Sequence, residues 1–267
     1  MAKLFWGLLK ASRPRQWIKN FAIFAALVFS GTLFNHNNQL KSLEAFLLFC
    51  IFSSATYLLN DVFDIERDKL HPFKSKRPIA SGLVPVPLAV MSSLVLIIVF
   101  LPLSYKLSPA FFFAACAYLL MQLFYSSYLK RVILIDVLVI AAGFVLRVYA
   151  GVWAIDAHLN VWFLLCVTSF ALFLAIGKRR SERTLLESQA SRHRETLLHY
   201  PENLLDILTS MFANSTWLTY AFFAFLQPPI QARRLVSNFL GGFELPSSEA
   251  KYLMVTVPVV LYAVMRY

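Results

Sequence analysis

The chain has 267 residues, of which 59% are hydrophobic and 15% charged, with a formal net charge of +11. A soluble domain of this size is about 45–50% apolar and about 25% charged. These figures exclude a disordered chain, a collagen-like repeat and a disulfide-rich secreted scaffold, and they argue against a soluble enzyme. Apolar runs recur along the whole length with no linker between them, which predicts an all-α polytopic membrane bundle forming a single domain over 1–267.

The opening MAKLFWGLLKASRPRQWIKN is basic throughout and lacks a small-residue cleavage site, so no removable signal peptide is expected. Crossing ~30 Å of hydrocarbon takes about 20 apolar residues, and helices are the structures here that satisfy their own backbone in lipid. Eight spans are expected in chain order, at about 20–35, 43–60, 83–104, 109–129, 133–154, 159–177, 204–227 and 252–267. Cys50, Cys116 and Cys166 each fall inside an apolar run and form no CxxC pair, so they read as small buried hydrophobes.

Charge sets the orientation. With the N-terminus in the cytoplasm, 19 of the 25 Lys and Arg residues fall on the cytoplasmic side, 5 on the other, and Arg147 lies within a span. That bias places the N-terminus inside, in a plasma (inner) membrane, and explains the net charge without a nucleic-acid partner. Two polar cytoplasmic loops result, 61–82 and 178–203, and the concentrated chemistry lies in them. The loop 228–250 is expected on the opposite face and carries no readable chemistry.

The second span runs into NDVFDIERDKLHPFKSKRPIASG. If the helix continues past Leu59, Asp61, Asp64 and Asp68 fall at i, i+3 and i+7, within roughly 60° of arc, while Glu66 points away. Three carboxylates on one face repel unless a cation lies between them, and hard oxygen donors suit Mg²⁺. The alternative is a solvated face with Arg67 and Lys69 as salt-bridge partners. Emergence straight from an apolar helix at the membrane boundary favours the metal. Lys74, Lys76 and Arg77 follow at once. An acidic metal face beside a basic cluster is what a diphosphate requires, Arg binding it bidentately.

These residues carry a resemblance. Asn60 to Asp68 matches the NDxxDxxxD pattern of the UbiA superfamily of intramembrane prenyltransferases, and Arg77-Pro78-Ile79-Ala80-Ser81-Gly82 is similar to its RPIxxG continuation. The resemblance implies a helical bundle, usually of nine spans against the eight counted above. It also implies a cytoplasm-facing cavity that takes a Mg²⁺-diphosphate donor. Most aromatic-acceptor members carry a second acidic motif, DxxxD, after the sixth span. Here 178–203 contains no aspartate and begins Lys178-Arg179-Arg180.

Arg13 to Asn20, Tyr125 to Lys130, Gly143 to Gly151 and Gly177 to Glu182 resemble one branch in particular, the decaprenyl-phosphate phosphoribosyltransferases. That branch implies 5-phosphoribosyl 1-diphosphate as donor and a polyprenyl phosphate lipid as nucleophile, with pyrophosphate leaving. The resemblance implies Mg²⁺ on Asp61, Asp64 and Asp68, with Asp61 and Asp64 serving catalysis. Lys19, Asn60, Lys74, Arg77, Tyr125, Lys130, Lys178 and Arg179 are the expected substrate-binding residues. The alternative within the same fold is an aromatic-acceptor prenyltransferase using a polyprenyl diphosphate. Arg147, too deep to snorkel, is expected either to pair, with Asp156, or to face the cavity. His71 is expected to serve a solvated loop, and Tyr125 and Tyr128 to bind phosphate or form an interfacial belt.

Overall fold

The computed structural model describes residues 2–187, 201–227 and 252–267, and every regular element among them is helical. The expected loop 228–250 and the part of the second polar loop at 188–200 lie outside the described residues. Helices α1 (Ala2–Ala11), α2 (Phe24–Phe29), α3 (His36–Phe63), α4 (Ile65–Leu70), α5 (Val86–Leu107), α6 (Pro109–Ser127), α7 (Ile135–Ala154), α8 (Val161–Glu187), α9 (Glu202–Leu226) and α10 (Val257–Arg266) follow in order. Short 3-10 helices cover Pro14–Ile23, Lys74–Lys76, Leu129–Arg131 and Tyr252–Thr256.

Among the described residues five helices are long and apolar enough to cross a membrane: α3, α5, α6, α7 and the Val161–Arg183 part of α8. The other three expected spans differ. The first is built from the 3-10 helix Pro14–Ile23 and the six-residue α2 rather than one α-helix over 20–35. The 3-10 segment is anchored sideways: Trp17 donates to Ser54 Oγ (3.0 Å) and Asn20 to Ser53 Oγ (3.2 Å), both on α3. The seventh, α9, is helical over 25 residues but diluted by Asp206, Thr209, Ser210, Asn214, Ser215 and Thr216. The last is a short apolar helix, Leu253–Arg266.

Helix α3 begins where Asn35 caps it, the side chain accepting from the backbone N–H groups of Asn37 (3.0 Å) and Asn38 (3.2 Å). Its 28 residues extend about 42 Å, longer than a ~30 Å hydrocarbon layer. The helix therefore carries its C-terminal turn, with Asn60 and Asp61, beyond the apolar zone. It is also the centre of the bundle: 61% of its apolar window is buried, against 11% for α5, which faces outward. Phe49, Phe52 and Ala45 pack with Phe111, Ala115 and Tyr118 of α6 and Ala150 and Ala154 of α7. A second core joins Val137 and Ala141 of α7 to Ala171, Leu172 and Ile176 of α8 and Leu205 of α9.

Two glycines fix close geometry. A Cβ on Gly151 would lie 2.1 Å from the Ile23 carbonyl oxygen, so α7 and the 3-10 segment approach through that bare position. Gly82 ends the RPIASG turn with φ +78, a left-handed conformation that side chains disfavour.

Candidate active site

The elements enclose a cavity of about 1600 Å³. Its walls come from the 3-10 segment after α1, the end of α3, α4 with its following loop, α6, α7 and α8. Ten of the eleven expected site residues line it: Lys19, Asn60, Asp64, Asp68, Lys74, Arg77, Tyr125, Lys130, Lys178 and Arg179. The eleventh, Asp61, lies just behind the wall, 2% exposed.

The acidic motif does not lie on one unbroken helix. Helix α3 ends at Phe63, Asp64 leaves the helical region (φ −95, ψ 3), and α4 restarts at Ile65. The ladder is barely interrupted, since Asp64 N–H still reaches the Asn60 carbonyl (3.0 Å) and Asp68 N–H the Asp64 carbonyl (2.8 Å). Glu66 points away, 82% exposed, and meets Lys69 at 3.2 Å.

Each motif carboxylate is matched by a cation from elsewhere in the chain. Arg77 Nη1 bridges Asp68 at 2.5 Å and Asp61 at 3.2 Å. The Arg77 backbone is extended (φ −66, ψ 146), as expected before Pro78, which closes the preceding 3-10 turn and turns its side chain back to α3. Lys130, 5% exposed, reaches Asp64 at 2.6 Å. Arg13 pairs directly with Asp61 from a left-handed backbone conformation, φ 53. Arg13 belongs to a quoted segment, yet no local spacing ties it to a carboxylate 48 residues away.

Among the described residues no three carboxylate, imidazole or thiolate groups converge closely enough to cage a metal alone. Magnesium needs no such cage, because it takes one or two carboxylates and completes its shell with water and phosphate oxygens. Asp61 and Asp68 both reach the same nitrogen of Arg77, so two carboxylates already converge on one positive point. That donor set fits a divalent ion shared with a phosphate.

The neighbours Lys178 and Arg179 occupy different environments. Lys178 lines the cavity with its side chain 58% exposed, 3.8 Å from Glu182. Arg179 is 1% exposed and held between Asp136 (2.7 Å) and Glu182 (2.6 Å). Arg147 pairs not with Asp156, which is exposed, but with neutral groups around Asn20. His71 Nδ1 accepts from the backbone N–H groups of Phe73 (3.1 Å) and Lys74 (3.3 Å), a turn-forming role. Tyr125 faces the cavity, whereas Tyr128 is 65% exposed.

The model of the UbiA prenyltransferase family matches residues 19–225. A decaprenyl-phosphate phosphoribosyltransferase of Mycolicibacterium smegmatis is 34% identical over 265 residues, 98% of this chain and 80% of that protein. Its counterpart in Mycobacterium tuberculosis is 36% identical over 228 residues, 84% of this chain and 76% of its own. The structure of a UbiA homolog from Archaeoglobus fulgidus bound to GPP and Mg²⁺ superposes with a TM-score of 0.66 at 18% identity. It covers 98% of this chain and 97% of that one, a likeness of fold.

Proposed function

The chain belongs to the UbiA prenyltransferase family, and we propose that its cavity transfers 5-phosphoribose from 5-phosphoribosyl 1-diphosphate to a polyprenyl monophosphate, decaprenyl phosphate among them. The observation that carries this reading is the charge layout: among the described residues, ten Lys and Arg side chains line the cavity against three carboxylates, Asp64, Asp68 and Glu182. The similarity to decaprenyl-phosphate phosphoribosyltransferases over most of the chain supports the same donor and acceptor.

In this reading an oxygen of the lipid phosphate attacks the anomeric carbon of the ribose. The new C–O bond forms as the bond to pyrophosphate breaks. The nucleophile is anionic at neutral pH, so no buried base has to take a proton. The demand falls on positioning and on neutralising the leaving group. Asp61 and Asp68, with Asp64 at the neighbouring turn, would hold Mg²⁺, which when bound would supply positive charge to the pyrophosphate. Arg77 and Lys130 turn from the carboxylates to phosphate oxygens, Lys74 meets phosphate from the adjoining loop, and Asn60 and Tyr125 hydrogen-bond from the same rim. Lys178 meets a phosphate from α8, while Arg179 fixes α8 against Asp136 and so positions Lys178. As an integral membrane protein, it places this cavity toward the cytoplasm, a side supported by the distribution of Lys and Arg.

The test is a competition. Purified protein with Mg²⁺ receives each donor–acceptor pair in turn, and pyrophosphate and lipid product are followed. Pyrophosphate from phosphoribosyl diphosphate plus a polyprenyl monophosphate, with radiolabelled ribose entering the lipid fraction, is the expected result. Release confined to a prenyl diphosphate with an aromatic acceptor would overturn it.

A further inference from the structure

The cavity contains a second cationic point that the metal end does not use. Arg147 is the thirteenth residue of α7 and 5% exposed, yet it lines the cavity. Its partners are neutral: Nε donates to Asn20 Oδ1 (2.8 Å), Nη1 to the Gly143 carbonyl (2.6 Å) and Nη2 to the Tyr118 hydroxyl (3.0 Å). The guanidinium lies over the rings of Tyr118 (4.9 Å) and Phe144 (5.8 Å). Among the described residues no carboxylate pairs with it. Arginine cannot shed its proton, so a full positive charge is held in an apolar interior by dipoles alone. Such a site is costly until an anion enters it, and it binds that anion strongly because little water is left to displace.

Its position separates it from the metal end. Asn20, which accepts from Arg147, also donates to Ser53 Oγ, and Ser53 precedes Asp61 by eight residues on α3. At 1.5 Å per residue the two levels are about 12 Å apart. One diphosphate does not span both. In a displacement at the anomeric carbon, nucleophile and leaving group lie on opposite faces of the sugar. The acceptor phosphate therefore requires a cation removed from the metal by the width of a ribose. Apolar side chains continue the cavity wall from Phe144, beneath the Arg147 guanidinium, through Ile140 on α7 to Leu174 and Ala175 on α8. That lining suits a prenyl chain rather than ribose hydroxyls.

Resting on the transfer reaction proposed above, we infer that Arg147, oriented by Asn20 and Tyr118, is the anchor for the monophosphate head of the lipid acceptor. Two phosphate monoesters share this chemistry, the lipid head and the 5-phosphate of the donor, and the test separates them. Farnesyl monophosphate is titrated into the purified protein in detergent by calorimetry, with farnesol as the phosphate-free control. Kinetic constants are measured for donor and acceptor independently.

Arg147→Met should weaken farnesyl monophosphate binding roughly ten- to a hundredfold. Farnesol binding and the KM for phosphoribosyl diphosphate should stay unchanged. Arg147→Lys keeps the charge but loses the planar fork, and should weaken the monophosphate at least about threefold at an unaltered unfolding midpoint. It carries the test where the methionine variant does not fold. Unchanged monophosphate affinity in these variants, or a raised KM for the donor instead, overturns the assignment. Arg147-dependent binding without phosphoribosyl transfer leaves the anchor standing and removes the proposed reaction. Transfer with unchanged lipid KM in the variants does the reverse.

Discussion

Replacing Arg179 distinguishes a residue that holds the fold from one that holds substrate. Its guanidinium is fully enclosed, with Asp136, 2% exposed, on one side and the partly exposed Glu182 on the other. Arg179→Met keeps the apolar stem and deletes the charge, stranding the Asp136 carboxylate inside the bundle. Breaking a buried pair from one side costs about 3–5 kcal/mol. The pair with Glu182, more open to solvent, adds about 1 kcal/mol at most. The expected loss is thus at least about 3 kcal/mol, a hundredfold or more in the ratio of folded to unfolded protein. Unfolding in mixed detergent micelles as SDS is raised measures it. Combining Arg179→Met with Asp136→Asn should recover much of the loss, because the amide needs no counter-charge. Lys178→Ala, at the open cavity wall, should leave the midpoint nearly unchanged while raising KM for one phosphate-bearing substrate roughly tenfold. An unaltered midpoint in Arg179→Met together with a raised KM would refute the reasoning and make Arg179 a phosphate ligand.

Asp61→Asn and Asp64→Asn should each lower turnover by more than about a hundredfold with the protein still folded, while Glu66→Gln stays near wild type; equal losses at all three would point to a general charge network. Lys19→Ala removes a cavity-lining ammonium and should raise KM for one phosphate-bearing substrate roughly tenfold; unchanged KM for donor and acceptor alike would take Lys19 out of the site. Gly151→Ala forces a Cβ against the Ile23 carbonyl and should destabilise by about 1–3 kcal/mol; a neutral result in thermal unfolding would mean the 3-10 segment yields freely. With the native cysteines replaced, Lys76→Cys and Ser181→Cys should resist impermeant thiol reagents in intact cells and Asn37→Cys should react, and the opposite pattern would invert the topology.

The parts of the site legible in the sequence were those set by spacing within one element. Asp61 and Asp68, seven residues apart, meet the same nitrogen of Arg77, as helical rise and turn predict, whereas Asp64 pairs with Lys130. Of the eight stretches marked by hydropathy, five are helices long and apolar enough to cross a membrane among the described residues, and their ends were not legible. Helix α8 runs on through Lys178 to Glu187, because charged straight-chain residues leave the membrane without leaving the helix. The 3-10 winding of Pro14–Ile23 depends on anchors to Ser53 and Ser54, which no local pattern reveals. The partners of the carboxylates were hidden for the same reason: Arg13 and Lys130 reach Asp61 and Asp64 across 48 and 66 residues. Adjacent residues on a helix point about 100° apart. Lys178 and Arg179 therefore looked alike as a basic pair until packing left one exposed in the cavity and buried the other at its wall between two carboxylates.

Charge balance links the site to the choice of reaction. Behind the cavity's three carboxylates lie Asp61 and Asp136, and even with both counted the ten cations leave a large positive excess. A prenyl diphosphate carried on two Mg²⁺ ions brings little negative charge, and a neutral aromatic acceptor brings none. A cavity built for that pair gains from extra carboxylates, and these walls would repel its metals. Phosphoribosyl diphosphate and a lipid phosphate instead bring three phosphate-bearing groups and, in the proposed site, metal at the Asp61–Asp68 end alone. Their surplus negative charge is what Arg147 lacks among the described residues, where its partners are all neutral. The cationic face of α8 and the arginine in α7 thus answer one requirement: each anionic group entering the bundle must meet its positive partner there, because the surrounding lipid supplies none.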